Sequence, residues 1–242
     1  MILKLLELKY PLDEILFYST GIDFSCIDFN AKKMEALAEA NNIRFTWIEP
    51  DKPFLWYMLE KPVKKANGEI SYGHGFCGGC HRFGTGLKRE ALHRQYQKYG
   101  DEPIVEYIGY AADEYDRWIK ARQKRDGNRI KVFPLIELGI SEAEALAYCH
   151  ENGWHWRIRP EDENSMELYS PGALRRISCK YCSNKGLDEM RFLFHEMKDT
   201  VWNELRELQS RIPWKFRKNA SIFDLEERFR QEDTLPKQET LL

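Results

Sequence analysis

Ile15-Leu16-Phe17-Tyr18, running into Ser19-Thr20-Gly21, is a short unbroken apolar stretch that stops at a turn. A run of this length without polar alternation reads as a strand buried on both faces, the habit of strands in parallel sheets. On its N-terminal side, residues 1–9 read as a helix with Ile2, Leu5 and Leu6 on one side, ended by Pro11. Beyond the turn, residues 31–41 carry Met34, Leu37 and Ala38 at helical spacing, and residues 43–48 alternate like a strand that Pro50 and Pro53 close. Further strands are expected at 104–108, ending at Gly109, and at 129–133, ended by Pro134. Strands separated by helical stretches predict βα repeats and a largely parallel sheet, hence the α/β class.

Ser141-Glu142-Ala143-Glu144 has the form of a capping box: the Ser141 hydroxyl takes a backbone N–H while Glu144 reaches back. The helix it opens is expected to run to Asn152 and stop at Gly153. Residues 160–172 are polar, carry two prolines and read as a loop. Residues 187–208 and 222–231 read as helical. The expected organisation is an α/β domain over 1–185, a helical extension over 186–232 and a flexible tail over 233–242.

The 242 residues are 43% hydrophobic and 31% charged, an ordinary globular composition. The net charge of −2 argues against a bulk polyanion binder and leaves room only for local basic patches, so a nucleic-acid partner is not the first expectation. No apolar run is long enough to cross a bilayer, so no membrane partner is expected. The segment Met1-Ile2-Leu3-Lys4-Leu5-Leu6-Glu7 lacks the basic start, long apolar stretch and small-residue site of a signal peptide. A cytoplasmic location follows as an expectation. Thiols stay reduced there, and paired cysteines point to metal or redox chemistry.

Four of the six cysteines form two tight pairs, Cys77-Gly78-Gly79-Cys80 and Cys179-Lys180-Tyr181-Cys182. Folding must bring the pairs together for them to share one centre. Four soft thiolates suit zinc or an iron–sulfur cluster such as [4Fe-4S], and spacing does not separate the two. Gly78 and Gly79 let the backbone turn its amides toward sulfur. His74 and His81 flank the first pair, where a role beside the ligands is the simpler reading. Cys26 and Cys149 stand alone and read as core residues, Cys149 with Leu146 on the inward face of its helix.

Three further sets accompany the cysteines. The turn holding Thr20, Gly21 and Asp23 sits at the carboxyl end of an expected parallel strand, where open α/β sheets bind ligands. Gly109, Asp113, Glu114 and Arg117 stand after a second such strand. The carboxylates there suit Mg²⁺ or a ribose and Arg117 suits a phosphate, against the plainer reading of a solvated loop with a local salt bridge. Arg82, Lys88, Arg89 and Arg94 follow the first cysteine pair on an expected helix, and Arg175 and Arg176 precede the second. Helix N-terminal amides with nearby cations make an anion site, whereas for Arg94 a solvated helix face is the preferred reading.

Five segments in order, 10–21 (YPLDEILFYSTG), 77–85 (CGGCHRFGT), 107–114 (YIGYAADE), 133–137 (FPLIE) and 177–182 (ISCKYC), resemble the phosphoadenosine phosphosulfate (PAPS) reductase family of the adenine-nucleotide alpha-hydrolase, or PP-loop, superfamily. They run in the family's order and span most of residues 1–195. The resemblance implies a Rossmann-like doubly wound, mostly parallel sheet with a helical C-terminal region, and an adenine nucleotide (ATP or PAPS, with Mg²⁺) at the strand ends. It implies cleavage at an α-phosphate or transfer of a sulfur group beside a four-cysteine centre. Thr20, Gly21 and Asp23 would border the adenosine, Asp113, Glu114 and Arg117 would manage Mg²⁺ or phosphates, and Arg82, Lys88 and Arg176 would stabilise developing negative charge. The sequence departs from the family in three places. The first strand with its SGGKDS-type loop is missing, so an upstream start, a homodimer or a partner chain supplying that strand is expected. The segment Lys237–Leu242 carries no reductase cysteine, and Ser19 stands where relatives often have Asp. The competing expectation is a non-catalytic, metal-stabilised interaction or regulatory module on a degenerate nucleotide fold.

Overall fold

The computed structural model describes residues 1–78, 83–123, 127–177 and 179–234. In chain order the elements are α1 (Ile2–Glu7), β1 (Glu14–Tyr18), α2 (Ser25–Ala40), β2 (Arg44–Ile48), α3 (Phe54–Leu59), β3 (Pro62–Lys64) and β4 (Ile70–Tyr72). They continue with α4 (Phe83–Gln97), β5 (Ile104–Tyr107), α5 (Tyr115–Arg122), β6 (Arg129–Val132), α6 (Pro134–Glu137), α7 (Glu142–Glu151), α8 (Leu187–Glu196), α9 (Asn203–Arg211) and α10 (Ile222–Thr234). The class is mixed α/β with short parallel sheets. β1 pairs parallel with β2, Glu14 opposite Arg44 and Tyr18 opposite Ile48. β5 pairs parallel with β6, Ile104 opposite Arg129 and Tyr107 opposite Val132. β3 and β4 form an antiparallel hairpin. Among the described residues no helix is long and apolar enough to cross a membrane.

The chain divides into two compact units that interleave in sequence. Unit 1 holds Met1–Tyr18, Asp28–Ile48 and Arg89–Trp156, and unit 2 holds Ser19–Ile27, Glu49–Lys88 and Arg157–Leu242.

Unit 1 contains both parallel pairs. Phe17 of β1 meets Trp47 of β2 edge-on at 4.9 Å and stacks with Phe45 at 6.4 Å, so aromatic rings fill one face of that pair. The Trp47 indole N–H donates to Glu35 of α2 at 2.8 Å, which removes the cost of covering it. On the second pair, the Tyr96 hydroxyl donates to Glu106 at 2.9 Å. Burial first, and the Glu106 carboxylate second, push that phenol up to about 12. The expected capping box is formed: the Ser141 N–H donates to Glu144 at 2.8 Å and the Glu144 N–H to the Ser141 hydroxyl oxygen at 3.3 Å.

Unit 2 is built on the C-terminal helices. Met190, Leu193, Leu205, Ile222 and Phe229 are fully buried. Phe194, Trp202 and Phe229 pack ring against ring, Phe194 meeting Trp202 at 5.2 Å and Phe229 at 5.7 Å. The Trp202 indole donates to Glu226 at 3.2 Å. The helix expected over 187–208 is interrupted: a π-helical turn at Lys198–Trp202 separates α8 from α9. Val201 and Trp202, adjacent within this wider turn, are both in the core. Helix α2 starts at Ser25, ahead of the expected 31, and Cys26 in its first turn is completely buried, in keeping with a core role.

Candidate metal centre and the cleft beside it

The cysteine loops owe their shape to short-range bonds within unit 2. The segment after Phe76 is tied to the second pair by the Ser183 N–H, which donates to the Cys77 carbonyl at 2.9 Å. The second pair is a tight turn, the Cys182 N–H donating to the Cys179 carbonyl at 3.3 Å. Its two intervening residues are both anchored to Glu204 of α9: Tyr181 by its hydroxyl at 2.7 Å and Lys180 by its ammonium at 3.0 Å. Buried Glu189 of α8 braces the flanks, accepting the Arg175 N–H at 3.0 Å and the Gly186 N–H at 2.5 Å. One carboxylate thus fixes the chain on either side of the second pair.

The thiols of Cys77, Cys179 and Cys182 share one electrostatic environment. Burial pushes the Cys77 thiol up, the Gly84 amide bonded to its sulfur works the other way, and Cys182 adds a smaller upward push. Cys179 is pushed up to about 12, by burial first and by Cys77 next, with the Tyr181 amide on its sulfur opposing. Amides do face sulfur, as expected, but those of Gly84 and Tyr181 fill the role seen here. A Cβ at Gly84 would lie 3.1 Å from the Cys77 sulfur and 3.0 Å from the Phe54 ring, so this first turn of α4 packs tightly against the thiol. Cys80, His81 and Arg82 lie outside the described residues. Among the described residues the three sulfurs are not gathered within 4.8 Å of one another, so the four-cysteine set is not seen assembled. A zinc tetrahedron, with Zn–S of about 2.3 Å, would need them to draw closer.

Lys185 is the sharpest feature of the region. It is 4% exposed, and its ammonium has no hydrogen-bond partner among the described residues. It sits 5.2 Å from the Phe24 ring centroid. Burial drives its pKa down, and Cys182 and Cys179 are the strongest influences in the other direction. A buried ammonium without an acceptor is costly. Thiolates collected around a cation carry the negative charge that would satisfy it, so the donor set and the orphaned ammonium fit a thiolate-held centre.

Opening beside this loop is a cleft of ≈ 890 Å³ in unit 2, bordered by Gly78, Lys185, Trp214, Lys215, Phe216, Arg217 and other residues. Sequence reasoning missed the segment 211–218, which supplies Trp214, Lys215, Phe216, Arg217 and Lys218 to the cleft. Its signal was legible: cations and aromatics with no acidic residue, directly after a helix.

The other expected residues divide between the units. The Thr20–Asp23 turn lies in unit 2, and the Lys180 N–H donates to the Ile22 carbonyl at 3.3 Å, which joins this turn to the second cysteine pair. Asp23 closes the turn on itself, accepting the Thr20 N–H at 2.9 Å and the Thr20 hydroxyl at 2.7 Å. Gly21 takes φ +72°, the left-handed conformation glycine favours, and a Cβ there would meet open space. Lys88 and Arg176 are exposed in unit 2. Gly109, Asp113, Glu114 and Arg117 belong to unit 1. Asp113 accepts the Glu142 N–H at 3.0 Å, Glu114 accepts the Ala111 N–H at 3.3 Å and pairs with Arg117, and Arg117 lies 4.4 Å from the Tyr110 ring centroid. Their polar groups serve the local loop. Also in unit 1, the His150 and His155 rings stack at 4.9 Å, a pairing that sequence reasoning did not single out. Comparison with known proteins returned no matching family, no similar curated protein and no similar solved structure.

Proposed function

We propose that unit 2 holds a metal or iron–sulfur centre on Cys77, Cys80, Cys179 and Cys182, and that the protein handles an adenine nucleotide beside it in the manner of the PAPS reductase family that its sequence resembles. The supporting observation is Lys185: a buried ammonium, without a hydrogen-bonding acceptor among the described residues, next to the thiols of Cys182 and Cys179. A thiolate-held zinc or [4Fe-4S] group supplies net negative charge there and, when bound, polarises or exchanges electrons with a neighbouring sulfur group. The chain's own part is to place and insulate it. Glu189 and Glu204 hold the second loop in shape, the Gly84 and Tyr181 amides donate to sulfur, and Lys185 balances charge. The Thr20–Asp23 turn, joined to this loop through Ile22 and Lys180, is the part of the proposed nucleotide site nearest the cysteines in the bonding pattern. A doubly wound sheet built around β1–β2 and β5–β6 belongs to the same proposal.

A second reading has its own observation. Asp113, Glu114 and Arg117 spend their charges on the loop and on one another, which favours a metal-stabilised module without turnover. Purification without air followed by iron, sulfide and zinc analysis tests the centre. One centre per chain, lost in Cys77→Ser and in Cys179→Ser and retained in Cys149→Ser, is expected. A parent protein free of all three elements overturns it. Turnover of ATP or PAPS by the metal-loaded chain separates the enzyme from the module.

A further inference from the structure

We propose that the cleft beside the cysteine loops is a binding site for single-stranded nucleic acid. The argument begins with the segment Arg211-Ile212-Pro213-Trp214-Lys215-Phe216-Arg217-Lys218, in which cations alternate with aromatics and no carboxylate appears. Helix α9 ends at Arg211, Ile212 is extended, and the chain then bends through 213–219 before α10. One buried side chain fixes it: Gln209 donates to the carbonyls of Ile212 at 3.2 Å and Trp214 at 3.0 Å, and accepts the N–H groups of Phe216 and Ile222 at 3.1 Å each. The segment is therefore a preorganised platform, which lowers the ordering cost of binding.

The platform sorts its side chains. Phe216 turns inward, 3% exposed, and meets Phe76 edge-on at 4.8 Å. Trp214 stays 47% exposed while part of its indole lies close to Gly75, where a Cβ would come within 3.3 Å of the ring. An aromatic ring backed by main chain and otherwise open is what a base stacks on. Lys185, Lys215, Arg217 and Lys218 border the same cleft, and no acidic residue does among the described ones. Lys215 pairs with Asp224 at 3.4 Å, both side chains more than half exposed, so the pair is weak and exchangeable.

Two residues that border the cleft each carry a buried donor with no hydrogen-bond acceptor among the described residues. Arg217 gives one guanidinium N–H to the Lys185 carbonyl, but its buried Nε–H has none, and neither has the Lys185 ammonium. Both lie behind the cleft wall, where they add positive charge rather than direct contacts to a phosphate. The exposed Trp214 ring beside these cations offers a base a stacking surface next to its phosphates, which fits a strand better than a lone anion. A net charge of −2 over the whole chain makes this positive field local and keeps binding confined to the cleft.

This inference goes beyond the proposed metal centre and does not rest on it. The test is fluorescence anisotropy of a short labelled single-stranded oligonucleotide with the full chain, with metal content measured on the same sample. Binding that weakens as salt rises is expected. Trp214→Ala should weaken it by roughly fivefold or more, and Lys218→Ala should lower the salt slope by about one. Both residues are exposed, and unchanged thermal unfolding certifies that the variants fold. Absence of binding at low salt overturns the proposal. So does equal affinity in the Trp214→Ala variant, equal affinity for duplex, or competition by a mononucleotide as strong as by the strand. Each of these results is independent of whether metal is found.

Discussion

The Ser183 N–H donates to the Cys77 carbonyl oxygen at 2.9 Å, joining the residue after the second cysteine pair to the first residue of the first. The contact leaves no room beside it. Gly78 stands at φ +136°, and a Cβ there would come within 2.4 Å of the Ser183 hydroxyl and 3.1 Å of its N–H nitrogen. Gly78→Ala should therefore destabilise the protein by about 1–3 kcal/mol through strain alone, and separate the two cysteine segments as well. Gly86, inside α4, is the control, because a Cβ there would meet nothing within 4 Å. Gly86→Ala should stabilise by up to about 1 kcal/mol. Urea unfolding of the two variants against the parent reads both signs.

These joints explain how far the sequence could be read. Runs with a strong pattern reported themselves: β1, β2, β5, β6 and the Ser141 cap fall within a residue or two of expectation. The β3–β4 hairpin was not legible, because three-residue strands carry too little alternation to register, and two of the residues facing outward there, Ile70 and Tyr72, are large and exposed. The π turn before α9 was not legible either, since one added residue per turn leaves the apolar count unchanged. Of the site, the cysteine pairs announce themselves by spacing, whereas Lys185 does not. A lysine three residues after a cysteine is ordinary in sequence, and only packing removes its solvent. The local bonds of Asp113 and Glu114 are hidden for the converse reason: residue type cannot reveal that a carboxylate already holds a neighbouring N–H or guanidinium.

Lys185→Met removes a buried charge while keeping much of the stem volume. Without metal, the variant should gain stability, by about 1–3 kcal/mol, because an ammonium without an acceptor no longer has to be desolvated. With metal, the parent should recover that deficit and the variant should not. Thermal unfolding with and without chelator gives the comparison. If the substitution costs the same stability in both states, the ammonium serves the protein alone and the thiolates do not need it.

The cap at α7 carries a pH signature. The Ser141 hydroxyl first, and the Ser141 N–H second, hold the Glu144 carboxyl below its usual value. A depressed carboxyl favours the fold when ionised, so its contribution is complete above the ordinary carboxylate range. That contribution fades as pH falls through the folded-state value. Ser141→Ala should lower Tm at neutral pH, and the gap to the parent should narrow in acid. A gap of constant width across that range would mean that the hydroxyl acts without help from Glu144.

Gln209 holds more of unit 2 than its size suggests. Its amide satisfies two carbonyls of the segment after α9, and its oxygen takes the N–H groups of Phe216 and Ile222. Ile222 begins α10, so one side chain sets both the wall of the cleft and the start of the last helix. Gln209→Leu fills the same space yet strands those backbone groups, each at a cost of about 1–3 kcal/mol where water cannot reach. Gln209→Glu keeps the acceptor and loses the donor, so the Phe216 and Ile222 bonds survive. The leucine variant should therefore be the less stable of the two at a pH where the new carboxyl is protonated. That protonation also restores an O–H donor for one carbonyl, so stability of the glutamate variant should rise on mild acidification while that of the leucine variant does not. Unfolding curves at two pH values decide it, and equal stability of the two variants would show that the segment is held by Phe216 packing on Phe76 rather than by the amide.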